Sequence, residues 1–285
     1  MEPKQTFQSS NDFSYTQLPV LKKKVFRLGI AGNYGLESDS IRWAAEHGAN
    51  YWLWGASFKK VTEGIGEVIK QNREKHVVAL LGWGYYGGQI RKGVENALRK
   101  LKTEYIDVYK LGWLSKTSFY NSNTVKTLLQ LKREGKIRAI GTSIHNRKKA
   151  GKLALDSEID LFMIRYNAKH PGAEQDIFPH LEKRNPGIVA YTALAWTQLT
   201  KQLKKVEIDP WPGEEKSVPP LTPALCYRFV LSNPHVHVVL TGPRNQEQLS
   251  QNFKMMEQGN LNEEELTWVR NYGQLVRTKK RMDYI

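Results

Sequence analysis

The residues best placed to do chemistry lie in the stretch Val236 to Asn252, VHVVLTGPRNQEQLSQN, where a strand gives way to a helix. Val236, Val238, Val239 and Leu240 read as a short buried strand that Gly242-Pro243 ends. Asn245 can cap a helix, and Gln248 follows at the third helical position, a loose capping-box pattern. Free backbone N–H groups at that terminus, the positive end of the helix dipole and the neighbouring Arg244 make an anion site that an adenosine 2′-phosphate would suit. A capped helix with one solvated arginine would leave the same trace.

Elsewhere, groups able to move protons are sparse. His145 is the imidazole expected at a strand end, where a hydrogen-bonded structural role competes with catalysis. Lys110 shares a strand face with Gly112, so its amine should point into a dry interior and need a partner that Arg165 cannot be. Tyr85 and Tyr86, with Lys59 and Lys60, are further candidates, each open to a structural or solvated reading. No carboxylate pair and no His/Asp/Glu metal cluster stands out, and with Cys226 as the single cysteine neither an internal disulfide nor a cysteine metal cluster can form.

The elements that must position these groups alternate. Candidate strands run from Val25 to Ile30, Tyr51 to Trp54, His76 to Leu81, Ile106 to Leu111, Ile137 to Ser143, Leu161 to Tyr166, Ile188 to Leu194 and Val236 to Leu240. They are short and apolar on both faces, as parallel strands covered by helices are. Helical spacing separates them, for example Ile90, Val94, Leu98 and Leu101 in IRKGVENALRKL. Eight such units in 285 residues, 40% of them hydrophobic, predict an α/β fold, a single-domain (β/α)8 TIM barrel. The competing open doubly wound sheet would want G-x-G-x-x-G after the first strand, and Gly29-Ile-Ala-Gly-Asn-Tyr-Gly misses that register. Residues 1–21 read as a loose leader and 22–285 as the barrel. Trp211-Pro212-Gly213 and Pro219-Pro220 argue against regular structure between Trp196 and Pro220.

Net charge is +15, but the basic clusters, among them Lys22-Lys23-Lys24, Lys204-Lys205 and Lys279-Lys280-Arg281, fall at expected helix ends and loops. They read as solvated faces that attract anions, and a nucleic-acid partner is disfavoured. The polar N-terminus lacks an apolar signal core, and no run approaches the ~20 apolar residues needed to cross a bilayer. A soluble cytoplasmic protein with a small-molecule partner and no metal is expected.

With this order of elements, the chain resembles the aldo-keto reductases from about Arg27 to Leu275. LRKLKTEYIDVYKL resembles the family's helix and strand that end in its catalytic histidine, and LKREGKIRAIGTS its G-K-I-R-x-I-G-V-S-N stretch. IRYNAKHPGAEQDIFPHL resembles the sixth strand and the helix after it. IVAYTALA matches the strand bearing the ring that stacks on nicotinamide, and LTGPRNQEQLSQN the segment gripping the adenosine phosphate. The resemblance implies NADP(H) as cofactor and carbonyl reduction by an Asp/Tyr/Lys/His tetrad. Those four positions fall at Leu53, Phe58, Gly82 and Gly112, so none of the four groups is kept. The asparagine and glutamine that hold the nicotinamide amide fall at Ile144 and Met163, and Ser143 remains. The resemblance assigns Arg244 to the 2′-phosphate, Gln248 and Asn252 to the adenine, Gly242 to the same segment and Tyr191 to the ring.

A positioned acid contributes ~10²–10⁴-fold to such a reduction, and Leu, Phe and Gly supply none. A barrel mouth with a cationic corner and a centre stripped of proton donors is therefore expected, with Lys110, Tyr85 and Tyr86 as substitutes. Trp52, Trp54, Trp83 and Trp113 predict a wide aromatic pocket, with room made by Gly82 and Gly112. Two functions stay open: an NADP(H)-dependent oxidoreductase with an altered site, and a catalytically silent reductase fold binding a nucleotide or apolar ligand in a regulatory or scaffolding role.

Overall fold

The computed structural model describes residues 13–203, 210–213 and 221–282. The first part of the expected leader, the doublet Lys204-Lys205 and the doublet Pro219-Pro220 lie outside them. The chain begins with an antiparallel hairpin of β1 (Tyr15–Leu18) and β2 (Lys23–Phe26), joined by a 3₁₀ turn at Pro19–Leu21. Residues 15–21 are thus not loose. Leu18 and Val25 are fully buried in the cluster that fills the barrel, and Val20 and Leu21 pack against it, so the hairpin closes the N-terminal end.

Eight parallel strands follow: β3 (Leu28–Ala31), β4 (Tyr51–Trp54), β5 (Val77–Gly82), β6 (Ile106–Leu111), β7 (Ile137–Ile144), β8 (Leu161–Arg165), β9 (Gly187–Tyr191) and β10 (Val238–Thr241). They pair in sequence order, and β10 returns to β3, which closes the barrel. The expected strand from Val25 to Ile30 is two strands in different sheets, parted at Arg27. Its buried guanidinium donates to the carbonyls of Leu231 and Val236. Isolated pairs of parallel strands bury too little to stand alone; closure gives each of these a neighbour on both sides.

The covering helices are α1 (Ser38–Glu46), α2 (Lys59–Gln71), α3 (Gly87–Leu101), α4 (Ser122–Arg133), α5 (Arg147–Leu155), α6 (Ala173–Asp176), α7 (Pro223–Leu231), α8 (Gln246–Lys254) and α9 (Glu263–Met282). Between β8 and β9 stand one helical turn, α6, and the 3₁₀ turn Phe178–His180, where Pro179 has no N–H to carry a longer helix on. The strands' outer faces and the helices bury one apolar layer, to which Trp52 and Trp54 belong. Their indoles donate to His76 Nδ1 and Thr62 Oγ1, so these two tryptophans are core residues and not pocket walls. Inward side chains form the second cluster, from Tyr51, Val77 and Val108 up to Leu53 and Met163. Near the N-terminal end, the buried carboxylate of Asp107 accepts from Lys23, Arg73 and the backbone of Val78, which ties the hairpin to β5 and β6.

Candidate active site at the C-terminal mouth

The C-terminal strand ends surround a cavity of about 410 Å³. Its floor is apolar: Ala31, Leu53, Leu81, Met163 and Leu240, with Gly112 and Ser143 beside them. Among the positions expected to carry the family's tetrad, Leu53, Phe58 and Gly112 line this cavity, whereas Gly82 does not. A Cβ at Gly82 would lie 2.3 Å from the ring of Tyr109, a side chain of the outer layer, so position 82 faces away from the barrel interior. The inward neighbour on β5 is Leu81. A second cavity of about 680 Å³ lies between Gly55–Phe58 and α3, and shares Phe58, Leu81 and Trp83 with the first.

The walls are aromatic. Trp83 and Trp113 line the mouth, joined by Trp196, Tyr34 and Tyr227. Trp113 and Trp196 hold left-handed backbone, φ 47° and 57°. Bulky side chains rarely adopt that conformation, and the loops after β6 and β9 use it to carry both indoles to the cavity. Tyr85 and Tyr86 are exposed at the start of α3 and are absent from the cavity lining. Tyr85 packs its ring on Phe119 instead.

The centre is not stripped of proton-bearing groups. Tyr191, the last residue of β9, brings its hydroxyl to 3.1 Å from Nε2 of His145, which follows β7, and both line the cavity. Burial pushes the phenol up to about 12, against the opposing pull of Arg165 and of the hydrogen bond with Ser143. Burial, then the cations of Arg165 and Lys116, holds His145 below the usual imidazole range. At neutral pH the pair is therefore a neutral phenol against a neutral imidazole, with exchangeable protons on both. His145 is solvent-exposed on its outer side, so these protons can be replenished from water. Sequence separation hid this pair, since the two residues stand 46 apart.

The helix cap at Asn245 forms as expected. Asn245 Oδ1 accepts from the backbone N–H of Gln248, and Gln248 Oε1 accepts from the backbone N–H of Arg244. The capping reciprocity thus reaches one residue further back than a standard capping box. Arg244 is exposed at the head of α8. Gly242 is required: a Cβ there would meet the ring of Tyr34 at 2.3 Å. Gly35, with φ +135°, would in turn drive a Cβ to 2.7 Å from the carbonyl of Arg244. Asn252 is buried and donates to Thr241 Oγ1, which also bonds the Tyr227 hydroxyl, so its amide anchors α8 on β10. Gln248 and Asn252 therefore already hold internal partners.

Among the described residues, no group of three or more His, Cys, Asp or Glu could hold a metal ion, and no helix is long and apolar enough to cross a membrane. Cys226 is buried in α7.

Residues 36–272 match the aldo/keto reductase family, and the chain belongs to that family. It is 24% identical over 188 residues to the NADH-specific methylglyoxal reductase of Escherichia coli K12, covering 57% of this chain and 58% of that protein. Over 246 residues it is 23% identical to the L-galactose dehydrogenase of Arabidopsis thaliana, covering 75% of each. The chain spans about half the length of the methylglyoxal reductases it matches. Among solved structures, an aldo-keto reductase from Bacillus halodurans in its holo form superposes with TM-score 0.75 at 20% identity, covering 91% of this chain and 96% of that one. An aldo/keto reductase from Klebsiella pneumoniae in complex with NADP and acetate superposes with TM-score 0.70 at 18% identity, covering 92% and 95%.

Proposed function

We propose that this protein is a cytoplasmic NADP(H)-dependent oxidoreductase that reduces a small carbonyl compound at an atypical centre. One observation carries the reading: the barrel-mouth cavity joins a hydrogen-bonded Tyr191–His145 pair, while the exposed Arg244 heads α8 beside it. The donor set fits the dinucleotide. Arg244 would take the adenosine 2′-phosphate, Gly242 lets backbone and the Tyr34 ring approach closely, and Gln248 would flank the adenine, while the buried Asn252 anchors α8 on Thr241. Ser143 would face the nicotinamide, and Tyr191 would stand on the carbonyl's side of it. When bound, the cofactor supplies hydride.

The chain's own residues do the rest. The aromatic walls and apolar floor exclude water, which strengthens every polar contact inside. With Leu53, Phe58 and Gly112 at tetrad positions and no polar side chain at either Leu81 or Gly82, the alkoxide's proton comes from the Tyr191 hydroxyl. His145 hydrogen-bonds that hydroxyl and returns a proton to it from solvent. Lys116 and Arg165 beside the imidazole favour developing negative charge.

The test is a titration with NADPH and with NADH followed by nicotinamide fluorescence, then turnover of a panel of small aldehydes and ketones. Preference for NADPH with measurable turnover supports the reading. Absence of binding by either dinucleotide overturns it.

A further inference from the structure

Among the described residues, one lysine inside the barrel is fully buried and has no part in the proposed reduction. Lys110, on β6, is fully buried among inward side chains and does not itself line the cavity. Its Nζ lies 2.9 Å from Sδ of Met163, a residue that lines the cavity, so a single thioether separates the amine from that space. Leu81, which pairs with Lys110 in register, lines the same cavity, as does Gly112 two residues further along the strand. Room for the side chain is built in: a Cβ at Gly141, its partner on β7, would come within 2.8 Å of Lys110 Cγ.

A thioether sulfur is a weak acceptor and no counter-ion for an ammonium group. Among the described residues no carboxylate is paired with Lys110. Charge in such a place costs several kcal/mol, so the amine gives up its proton instead. Burial lowers its pKa from 10.5 to about 7. A neutral, desolvated amine beneath an apolar cavity is the arrangement in which lysine becomes a nucleophile toward carbonyl carbon.

We propose that Lys110 is an imine-forming amine: with the Met163 side chain swung aside, its Nζ condenses with small aliphatic aldehydes that enter the mouth cavity. The nitrogen lone pair adds to the carbonyl carbon, and the oxygen gains a proton as nitrogen loses one. The carbinolamine then expels water as the C=N bond forms. No oxidant or reductant is consumed, and water reverses the step. Methionine suits the gate, having three rotatable bonds and no branching. The inference stands apart from dinucleotide binding, since neither Lys110 nor Met163 is asked to hold a cofactor.

The full-length protein at pH 7 is treated with limiting propanal and sodium cyanoborohydride, which reduces an imine to a stable propyl-amine, and the propylated lysines are located by peptide mass spectrometry. Burial favours the free amine at Lys110 over the ammonium of a solvated lysine, so label should go to it in preference. Lys110 is expected to carry at least ~10-fold more label than the exposed Lys59 and Lys60. That preference should vanish when the chain is unfolded in urea before labelling. Lys110→Met, checked for folding by near-UV circular dichroism, should leave only the weak surface labelling. A folded wild-type protein in which Lys110 takes no label, or less than the surface lysines, overturns the proposal whatever the mutant does.

Discussion

The phenol of Tyr191 and the imidazole of His145 meet 3.1 Å apart at the mouth of the barrel, one at the end of β9 and the other just past β7. Closure of the barrel brings together two groups that stand 46 residues apart in the chain. Replacing Tyr191 by Phe keeps the ring face and removes the proton. Turnover should fall by ~10²-fold or more while the Kd for NADPH changes less than about twofold. Because burial and the two nearby cations depress His145, it stays neutral above pH 6.5, the ordinary imidazole value. The kcat profile should therefore be flat through neutral pH and inflect only below 6.5, and His145→Gln should erase that inflection. An inflection above 6.5 would count against the pairing.

Arg244 reaches solvent at the head of α8, where only a phosphate on the adenosine ribose would distinguish one dinucleotide from the other. Charge-assisted hydrogen bonds of this kind contribute about 1.5–3 kcal/mol. Arg244→Ala should accordingly weaken NADPH binding by roughly 10–100-fold and leave NADH within about twofold, as measured by nicotinamide fluorescence. Equal losses for both would place the cofactor's phosphate elsewhere.

At Gly82 the limit is steric. The nearest atoms to an added methyl belong to the buried ring of Tyr109, whose hydroxyl is fixed on the carbonyl of Trp83 at 2.9 Å. Gly82→Ala should cost about 1–3 kcal/mol and lower the melting temperature by roughly 2–10 °C. Calorimetry showing no change would mean that the Tyr109 ring can move aside freely.

His76 sets a pH dependence of stability. It accepts the indole N–H of Trp52 on Nδ1 at 3.1 Å, a bond that imidazolium cannot accept. Burial, then Lys75, Arg73 and Lys23, lowers its pKa from 6.5 to about 4. Between those values the unfolded chain binds the proton more readily, so stability rises with pH across the window from 4 to 6.5 and is fully present above it. Urea midpoints should follow that slope, and His76→Gln should reduce it without abolishing it, since burial lowers His170 and His237 to about 4 as well. The same slope in the mutant would assign the effect to other histidines.

Much of the scaffold could be read from residue order. Tyr51–Trp54 and Ile106–Leu111 fall where continuous apolar runs place them, since strands covered on both sides show no alternation. The split at Arg27 was hidden because apolar residues flank it on both sides, and what divides them is a guanidinium bonded to residues some 200 positions away. Helix α9 went unread although its signals were present: Asn262 and Glu265 cap each other's backbone, and Val269, Tyr272 and Val276 follow at helical spacing. The Asn245 cap of α8 was legible because it is local to one strand–helix junction. The Tyr191–His145 pair was not, because it depends on which strand ends closure brings together.

The outward turn of position 82 also fixes how this barrel could be re-equipped. A designer who aligned it with an ordinary reductase and grafted lysine there would plant the ammonium against Tyr109, under the helical coat, with the barrel wall between it and any substrate. Leu81 is the address that opens onto the mouth cavity.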